Sequence, residues 1–591
     1  MAEAVATAFG EADLSALDIR LVETPNPEVG DLGFGCFPLA KLLRRSPKDI
    51  AAALAAAIEL PAPFREARGV GPYLNLWLDR PAFLAALCRD VLDGERPYGT
   101  RPPGELGRIV LEFSSPNTNK PQHLGHIRNN VLGMALARLL EAAGHEVVKV
   151  TLVNDRGVHI CKSMLAYQRW GDGATPESTG TKGDHFVGDY YVKFCQEAAA
   201  DESLEEQAKE MLRRWEQGDE EVMALWRTMN GWVERGFDET YRRLGVAFDR
   251  VYHESETYRF GRDIALAALG QGHCQRLPDG AVEIDLTADG LDKKILLRRD
   301  GTSVYMTQDL GTAVRRFEEW QPEAMFYVVG SEQIYHFKVL FLVLQRFGYA
   351  WAEQCRHISY GMVHLPEGKM KSREGKVVDA DDLMTEVEAI SGQAIREKHP
   401  DISADELAAR QHEIALGAIK FFLLNVNLEK DITFDPAASV SFEGDTGPYI
   451  QYAHTRICGI LRKAGPAAGT IASQTRRQPL SPLPRCNANP PHAVPVADFA
   501  QLGSDDEVAL GRLLMEFPKV VAEAARTRNP ARIAGHVLDV ARSFTTFYHG
   551  HPVIQAASPG LGAARLALCR ATAAVLKQGL ALLGIEAPEQ M

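Results

Sequence analysis

Residues 112–130 read EFSSPNTNKPQHLGHIRNN, and this stretch decides how the rest of the chain is parsed. It begins where an apolar run, Ile109-Val110-Leu111, ends in an acid, Glu112. A polar, proline-containing loop follows. Then Ile127, Val131, Ala135 and Leu139 recur every four positions, the period of a helix with a buried face. A strand–loop–helix join points backbone N–H groups and the partly positive start of a helix at one spot, a setting suited to phosphate. His123 and His126 stand in this join, three apart around Gly125. Two histidines at that spacing, taken alone, are a weak signal, because they occur more often by chance or as core residues than as a site.

Outward from this stretch, the helix is expected to reach Ala143, and Glu146 to Val153 reads as a second strand. Together they form a βαβ unit, which requires a right-handed crossover and a parallel sheet. Three further apolar runs end in polar clusters. Ser303-Val304-Tyr305-Met306-Thr307 reads as a strand that leads to Gln308-Asp309 and a helix from Leu310. Met325 to Val329 reads as a buried strand, with Tyr327 as core, followed by Gly330-Ser331-Glu332-Gln333. His357 to Leu365 is another strand candidate, ending in the loop GKMKSREG. Parallel sheets bind ligands at their carboxyl edge, so these clusters should gather there with the loop from Glu112. Residues from about 171 to 290 interrupt the rhythm with a charged helical run through Trp215 and Trp226. They read as an insertion between two halves of a nucleotide-binding fold.

Residues 1–105 look like a small α+β domain. Ser46-Pro47-Lys48-Asp49 is a helix start, with a capping Ser, Pro at the first position and an acid in the first turn. That helix would carry Ile50, Leu54 and Ile58. A strand, Tyr73 to Leu78, follows Gly71-Pro72, and a second helix begins near Pro81. Gly104, beside Pro102-Pro103, marks a boundary. The middle domain spans 106–400. Residues 401–591 are helical, with a strongly apolar run from Glu413 to Asn427 and helices expected at 505–527, 530–549 and 561–584. A Pro/Ala-rich surface loop is expected at about 465–499.

The chain has 591 residues, too many for one core. A net charge of −13 argues against indiscriminate nucleic-acid binding but leaves room for RNA held at local basic patches. The nine cysteines are scattered without a CxxC, which speaks against a zinc ribbon or any protein-only metal site and for a reducing compartment. The N-terminus carries Glu3, Glu11 and Asp13 and shows no secretion leader. The Ala-rich run from Ala51 to Ile58 is too short to span a membrane. A cytoplasmic protein without a membrane partner is expected. No dimerisation heptad is visible, and a monomer is the expectation.

The HxGH string at His123–His126 resembles the first signature of the class I aminoacyl-tRNA synthetases. With SSPN and Lys120 ahead of it, the stretch resembles the arginyl-tRNA synthetases in particular. The similarity continues through GDLGFGCFPLAKLL, GPYLNLWL, GDHFVGDYYVKF, YMTQDLG, GSEQIYHF, DTGPYIQYAHTRICGIL and the terminal LLGIEAPEQM, so it covers nearly the whole chain and implies a full-length protein. The resemblance implies a multidomain α/β fold. Its parts are a Rossmann-like nucleotide-binding catalytic core with a parallel sheet, an N-terminal α+β domain that contacts tRNA and a C-terminal all-α anticodon-binding domain. It implies ATP-dependent attachment of L-arginine to tRNA(Arg), with Mg2+ bound alongside ATP, and no role for DNA.

In that reaction the arginine carboxylate attacks the α-phosphorus of ATP, and a ribose hydroxyl of tRNA then attacks the adenylate carbonyl. Positioning and positive charge can catalyse the first step without a protein nucleophile. The resemblance puts Lys120, His123, Gly125 and His126 on ATP, with His336 approaching the ribose. The second class I signature is a KMSKS-type loop. Here Lys369-Met370-Lys371-Ser372-Arg373 has Ser372 where the fourth-position lysine is usual. Lys120 is therefore assigned to the phosphates first, with Met370 and Lys371 on ATP and Lys371 and Arg373 assisting. A guanidinium is planar, charged and rich in donors, so its pocket needs carboxylates. Glu112, Asp309, Tyr305 and Gln333 would form it, and Asn117 would hold the backbone end. Two other readings remain in view. A class I enzyme for another amino acid is disfavoured by the paired acids. A tRNA-binding paralogue without catalysis has the missing KMSKS lysine as its only support.

Overall fold

The structure is a computed structural model that describes residues 2–9, 21–24, 26–366, 378–465 and 497–591. The loop GKMKSREG and most of the 465–499 stretch lie outside the described residues. The chain divides into two compact units. One comprises Met1–Tyr98, Arg456–Glu516 and Asp539–Val575, the other Gly99–Thr455, Phe517–Leu538 and Leu576–Met591.

In the first unit, β1 (Val22–Glu23), β2 (Leu32–Gly35), β3 (Phe64–Val70) and β4 (Tyr73–Leu78) form an antiparallel sheet in the order β1-β2-β4-β3. The helix Pro47–Ala57 is capped as its sequence requires, with Ser46 Oγ accepting the Asp49 N–H at 3.1 Å. It buries Ile50, Ala51 and Leu54 against Phe34, Leu74 and Leu76 of the sheet. The helix Asp505–Thr527, from the far end of the chain, begins in this unit. Its Arg512 Nη2 donates to buried Asp31 Oδ1 at 3.0 Å, and Arg80 Nη2 donates to the same oxygen at 3.2 Å. The other Asp31 oxygen accepts the Leu78 N–H at 2.9 Å.

The second unit supplies β5 (Leu106–Glu112), β6 (His145–Val153), β7 (Arg250–His253), β8 (Gln275–Arg276), β9 (Val282–Ile284), β10 (Lys294–Leu297), β11 (Ala324–Gly330), β12 (Cys355–Tyr360), β13 (Val363–His364) and β14 (Ile432–Thr433). Five of these form a wholly parallel sheet in the order β12-β11-β5-β6-β7. β8, β9 and β10 make a small antiparallel sheet. The helix Leu124–Ala142 buries Ile127, Val131, Ala135 and Leu139, as its period demands, and also Arg128, Asn129 and Asn130. A helix buried on its polar positions too must satisfy them internally. Arg128 does so by donating to the carbonyls of Gly361, Met362, Leu428 and Lys430.

Three elements differ from expectation. Ser303–Thr307 is not a strand, because Tyr305 already opens the helix Tyr305–Trp320, with Val304 as its cap. Met306, Leu310, Ala313 and Val314 pack into one core at helical spacing, and that burial outweighs a local run of strand formers. The 357–365 strand is broken after Tyr360. Gly361 lies where a Cβ would stand 2.5 Å from the Lys430 carbonyl carbon, and the chain leaves the sheet there to pair β13 with β14. Finally, the 171–290 stretch is not wholly outside the sheet, since β7 forms its edge beside β6.

The helices Glu254–Gly270 and Tyr305–Trp320 cross at two glycines. A Cβ on Gly311 would lie 2.4 Å from the Gly261 nitrogen, and one on Gly261 would lie 1.7 Å from the Thr307 carbonyl oxygen. Both obstacles are backbone, which cannot swing aside. Gly311→Ala should therefore destabilise the protein by about 1–3 kcal/mol through overpacking. Gly270→Ala, on the same pair of helices but facing open space, should not. Thermal and denaturant unfolding of the two variants gives the comparison, and equal stability would mean the crossing tolerates a methyl.

Candidate active site

The site is built at the carboxyl ends of β5, β6, β7, β11 and β12. From β5 the chain enters a turn in which Ser114 and Ser115 both have positive φ, 76° and 49°. L residues seldom adopt this conformation, and it persists only where surroundings enforce it. Here Asn129 Oδ1 accepts the Ser114 N–H at 2.6 Å, Ser114 Oγ bonds the Tyr241 hydroxyl at 2.7 Å, and Thr151 Oγ1 accepts the Ser115 N–H at 3.1 Å. The loop then runs beside the end of β6, where Asn117 bridges Asn154 and the Thr118 N–H donates to the Asn154 carbonyl at 3.2 Å. Asn117 and Lys120 are exposed at its rim.

His123 caps the helix Leu124–Ala142. Its Nδ1 accepts the Gly125 N–H at 3.1 Å, and His126 Nδ1 accepts the His123 N–H at 3.2 Å. The two rings lie 4.0 Å apart between centroids. Burial, then the Lys120 charge, pulls the His123 pKa down to about 4. Burial, then His123 and Lys120, holds His126 far below its ordinary value. Both imidazoles are therefore neutral near pH 7. With each Nδ1 occupied as an acceptor, each proton sits on Nε2, which leaves two neutral donors at a helix start. Gly125 has a local reason to lack a side chain, because its Cβ would stand 2.9 Å from His123 Cε1.

The join is tied to the segment after the GKMKSREG loop. The Leu124 N–H donates to the Val378 carbonyl at 3.3 Å, the Ala380 N–H donates to the Gln122 carbonyl at 2.9 Å, and His123 forms a bridge with Asp379. Met370, Lys371 and Arg373 themselves fall outside the described residues. Burial raises the Asp379 carboxyl to about 6, opposed by His185, whose Nε2 is 3.3 Å away. Asp184, His185 and Asp381 have metal-ligand spacing, but the Lys182 ammonium already donates to Asp184 at 3.1 Å and Asp381 at 2.7 Å. A metal ion does not fit beside that charge.

The predicted arginine pocket comes together only in part. Tyr305 and Asp309 occupy the first turns of one helix, and Asp309 Oδ2 pairs with His336 Nε2 at 2.5 Å. Tyr305 is 72% exposed, and Gln333, after β11, is exposed as well. Glu112 faces inward. Its Oε1 accepts Ser115 Oγ–H at 2.9 Å, and its Oε2 is held by Arg316. Arg316 is 1% exposed. Sequence reading missed it, and no local motif could have exposed a pair 204 residues apart.

Glu254 was also missed. It follows β7, is buried, and has its pKa raised to about 7. Burial is the main cause, opposed by Arg156 and reinforced by Asp155 and Asp309, and Gln308 hydrogen-bonds it. Its Oε1 is 3.8 Å from Arg156 Nη1. The sequence signal is weak, because His253-Glu254-Ser255 follows only the pair Val251-Tyr252, with Asp249-Arg250 before it. It also lies inside the 171–290 stretch, away from the expected strand-end loops.

Known proteins match this chain along its length. The family model for the catalytic domain of class I (R) tRNA synthetases covers residues 91–435, that for the DALR anticodon binding domain covers 450–591, and that for the arginyl tRNA synthetase N-terminal domain covers 1–78. An arginine–tRNA ligase of Parabacteroides distasonis is 42% identical over 98% of this chain and 97% of its own. One of Treponema denticola is 43% identical over 97% and 95%. The solved arginyl-tRNA synthetase of Thermus thermophilus superposes with a TM-score of 0.79 at 30% identity, covering 100% of this chain and 99% of its own. The parallel catalytic sheet, the N-terminal domain and the helical C-terminal domain therefore have the architecture expected from the sequence, and the chain belongs to the arginyl-tRNA synthetase family of class I aminoacyl-tRNA synthetases.

Proposed function

We propose that this chain attaches L-arginine to tRNA(Arg) by way of arginyl-adenylate. The reading is carried by one loop, which opens on the buried carboxylate Glu112 and closes on two neutral histidine donors at a helix start. An acidic cleft for a guanidinium and a donor cluster for phosphates thus share a few residues of backbone.

His123 and His126 would donate Nε2–H groups to ATP phosphate oxygens, together with backbone N–H groups of the helix start. Lys120 pairs with no carboxylate among the described residues and would add the positive charge that the phosphate needs as pyrophosphate leaves. Mg2+ would arrive on ATP as a counter-ion to its phosphates. Asp309 and Glu254 would receive the substrate guanidinium beside Glu112, with Tyr305 and Gln333 at the rim and Asn117 near the α-amino or carboxylate end. His336, paired to Asp309, would orient that acid and approach the ribose. Arg316 holds Glu112, and His336 pairs with Asp309. Met370 and Lys371 would contact ATP, and Lys371 and Arg373 would assist Lys120 at the phosphates. The 1–105 domain would touch tRNA away from the catalytic centre, the 401–591 helices would hold the anticodon end, and the 171–290 stretch would help seat the 3′ end. No described helix is long and apolar enough to cross a membrane. A cytoplasmic location and a monomeric state complete the proposed reading.

ATP–pyrophosphate exchange with each amino acid, with and without total tRNA, tests the whole reading. Exchange should depend on arginine. Exchange with lysine or glutamine instead would end the specificity assignment, and none under any condition would favour a binding-only protein. For Lys120→Ala, turnover should fall roughly 10²-fold or more while the arginine KM stays nearly constant, because the lysine acts on charge that develops in the transition state. Near-normal turnover would move that role elsewhere.

The Glu254 pKa of about 7 adds a pH dependence. Only the ionised carboxylate attracts a guanidinium, so arginine affinity is full above pH 7 and is lost as the pH falls. Between pH 8 and pH 6 the arginine KM should rise roughly tenfold, the factor that one pKa unit carries. Glu254→Gln should flatten the profile, and a flat profile in the parent enzyme would remove Glu254 from the pocket.

A further inference from the structure

Two arginines are among the largest fully buried side chains in the described residues, Arg128 and Arg316. Arg128 donates to four backbone carbonyls. Arg316 is placed differently. Its Nη1 donates to Glu112 Oε2 and its plane lies over the Tyr252 ring at 4.9 Å, while Nε and Nη2 make no hydrogen bond among the described residues. It shares a helix with Tyr305, Asp309 and Thr312, and steps of four, three and four residues put all four on one stripe. The stripe therefore runs from the exposed edge of the cleft to its floor.

A buried ion pair with idle donors is a poor device for stability, since an apolar pair of similar volume serves as well or better. Arginine is also the one basic side chain that does not shed its proton on burial. Here burial opposes the charge, but Glu112 leads the groups that favour it, and the pKa of Arg316 is raised. Glu112 is gripped on both oxygens, by Ser115 and by Arg316, and each oxygen keeps a further lone pair. Buried Tyr327 marks the shared neighbourhood, because its phenol senses Arg316, Glu112 and Asp309 together.

We propose that Arg316 is a positioning residue for arginine recognition: its buried guanidinium fixes the Glu112 carboxylate at the carboxyl edge of the sheet as an acceptor for the substrate guanidinium. The proposal rests on the function given above. Arg316 does not touch the substrate. It sets the direction of a group that does, so its effect must pass through Glu112.

A double-mutant cycle on the full-length protein, read by exchange kinetics, tests this. The parent is measured first, and an absence of arginine-dependent exchange there would strike the assigned function itself. With that in place, Arg316→Gln should raise the arginine KM at least tenfold and leave the ATP KM within twofold. In the Glu112→Gln background the same substitution should shift the arginine KM less than twofold, because the group it acts through is gone. Arg316→Lys, which keeps the charge but loses the planar fork, should show a smaller rise. An equal effect of Arg316→Gln in both backgrounds, or no rise in the parent, would overturn the inference and leave the family function standing. If Arg316→Gln does not fold, the cycle is closed with Arg316→Lys and its double with Glu112→Gln, where the same non-additivity is required.

Discussion

The active-site loop exists because two successive serines are held in a backbone conformation they would not choose. Left-handed geometry at Ser114 and Ser115 costs about 1–3 kcal/mol for each residue, and it is enforced from three directions. Asn129 reaches in from the central helix, Tyr241 from the helix Glu220–Leu244, and Thr151 from β6. The turn redirects the chain after β5 so that Ser115 reaches back to Glu112 while His123 caps the next helix. Tyr241 lies in the 171–290 stretch, so part of that stretch braces the signature loop whatever else it does with tRNA.

The same loop shows how a catalytic centre can be rich in donors without being rich in charge. The two imidazoles keep an Nε2–H each while staying neutral, because burial and Lys120 both oppose their ionisation. A neutral donor costs less to desolvate than a cation and pre-orients as well. On the other side of the loop Glu112 and Glu254 face arginines of the protein itself, Arg316 and Arg156. The cleft is therefore graded, from paired charge at its floor to half-exposed groups such as Asp309 at its rim.

Much of this was legible in the sequence, because it followed from local signals. The helix after His123 shows its period, Ser46 and Pro47 announce their helix, and the apolar runs at β5, β6 and β11 have the lengths of buried strands. Local signals misled at Ser303–Thr307, where residues that favour strands begin a helix because its apolar face fits the core. They were silent on Arg316, whose meaning comes from Glu112, and on the Gly261–Gly311 crossing that brings Glu254 to Gln308. Each of these is a relation between distant positions, and one sequence carries no mark of it.

Arg128 bears on how the chain comes to fold during synthesis. It sits in the first βαβ unit, yet two of its four acceptors, the carbonyls of Leu428 and Lys430, lie about 300 residues later. At roughly 5–20 residues per second, tens of seconds separate the emergence of the arginine from that of its partners. Through that interval the central helix carries a cation at a position that is buried in the finished protein. The strands of the parallel sheet all emerge before Lys430, and until then this cation is without two of its acceptors. The second unit also takes in Phe517–Leu538 and Leu576–Met591, so its completion waits for the end of the chain.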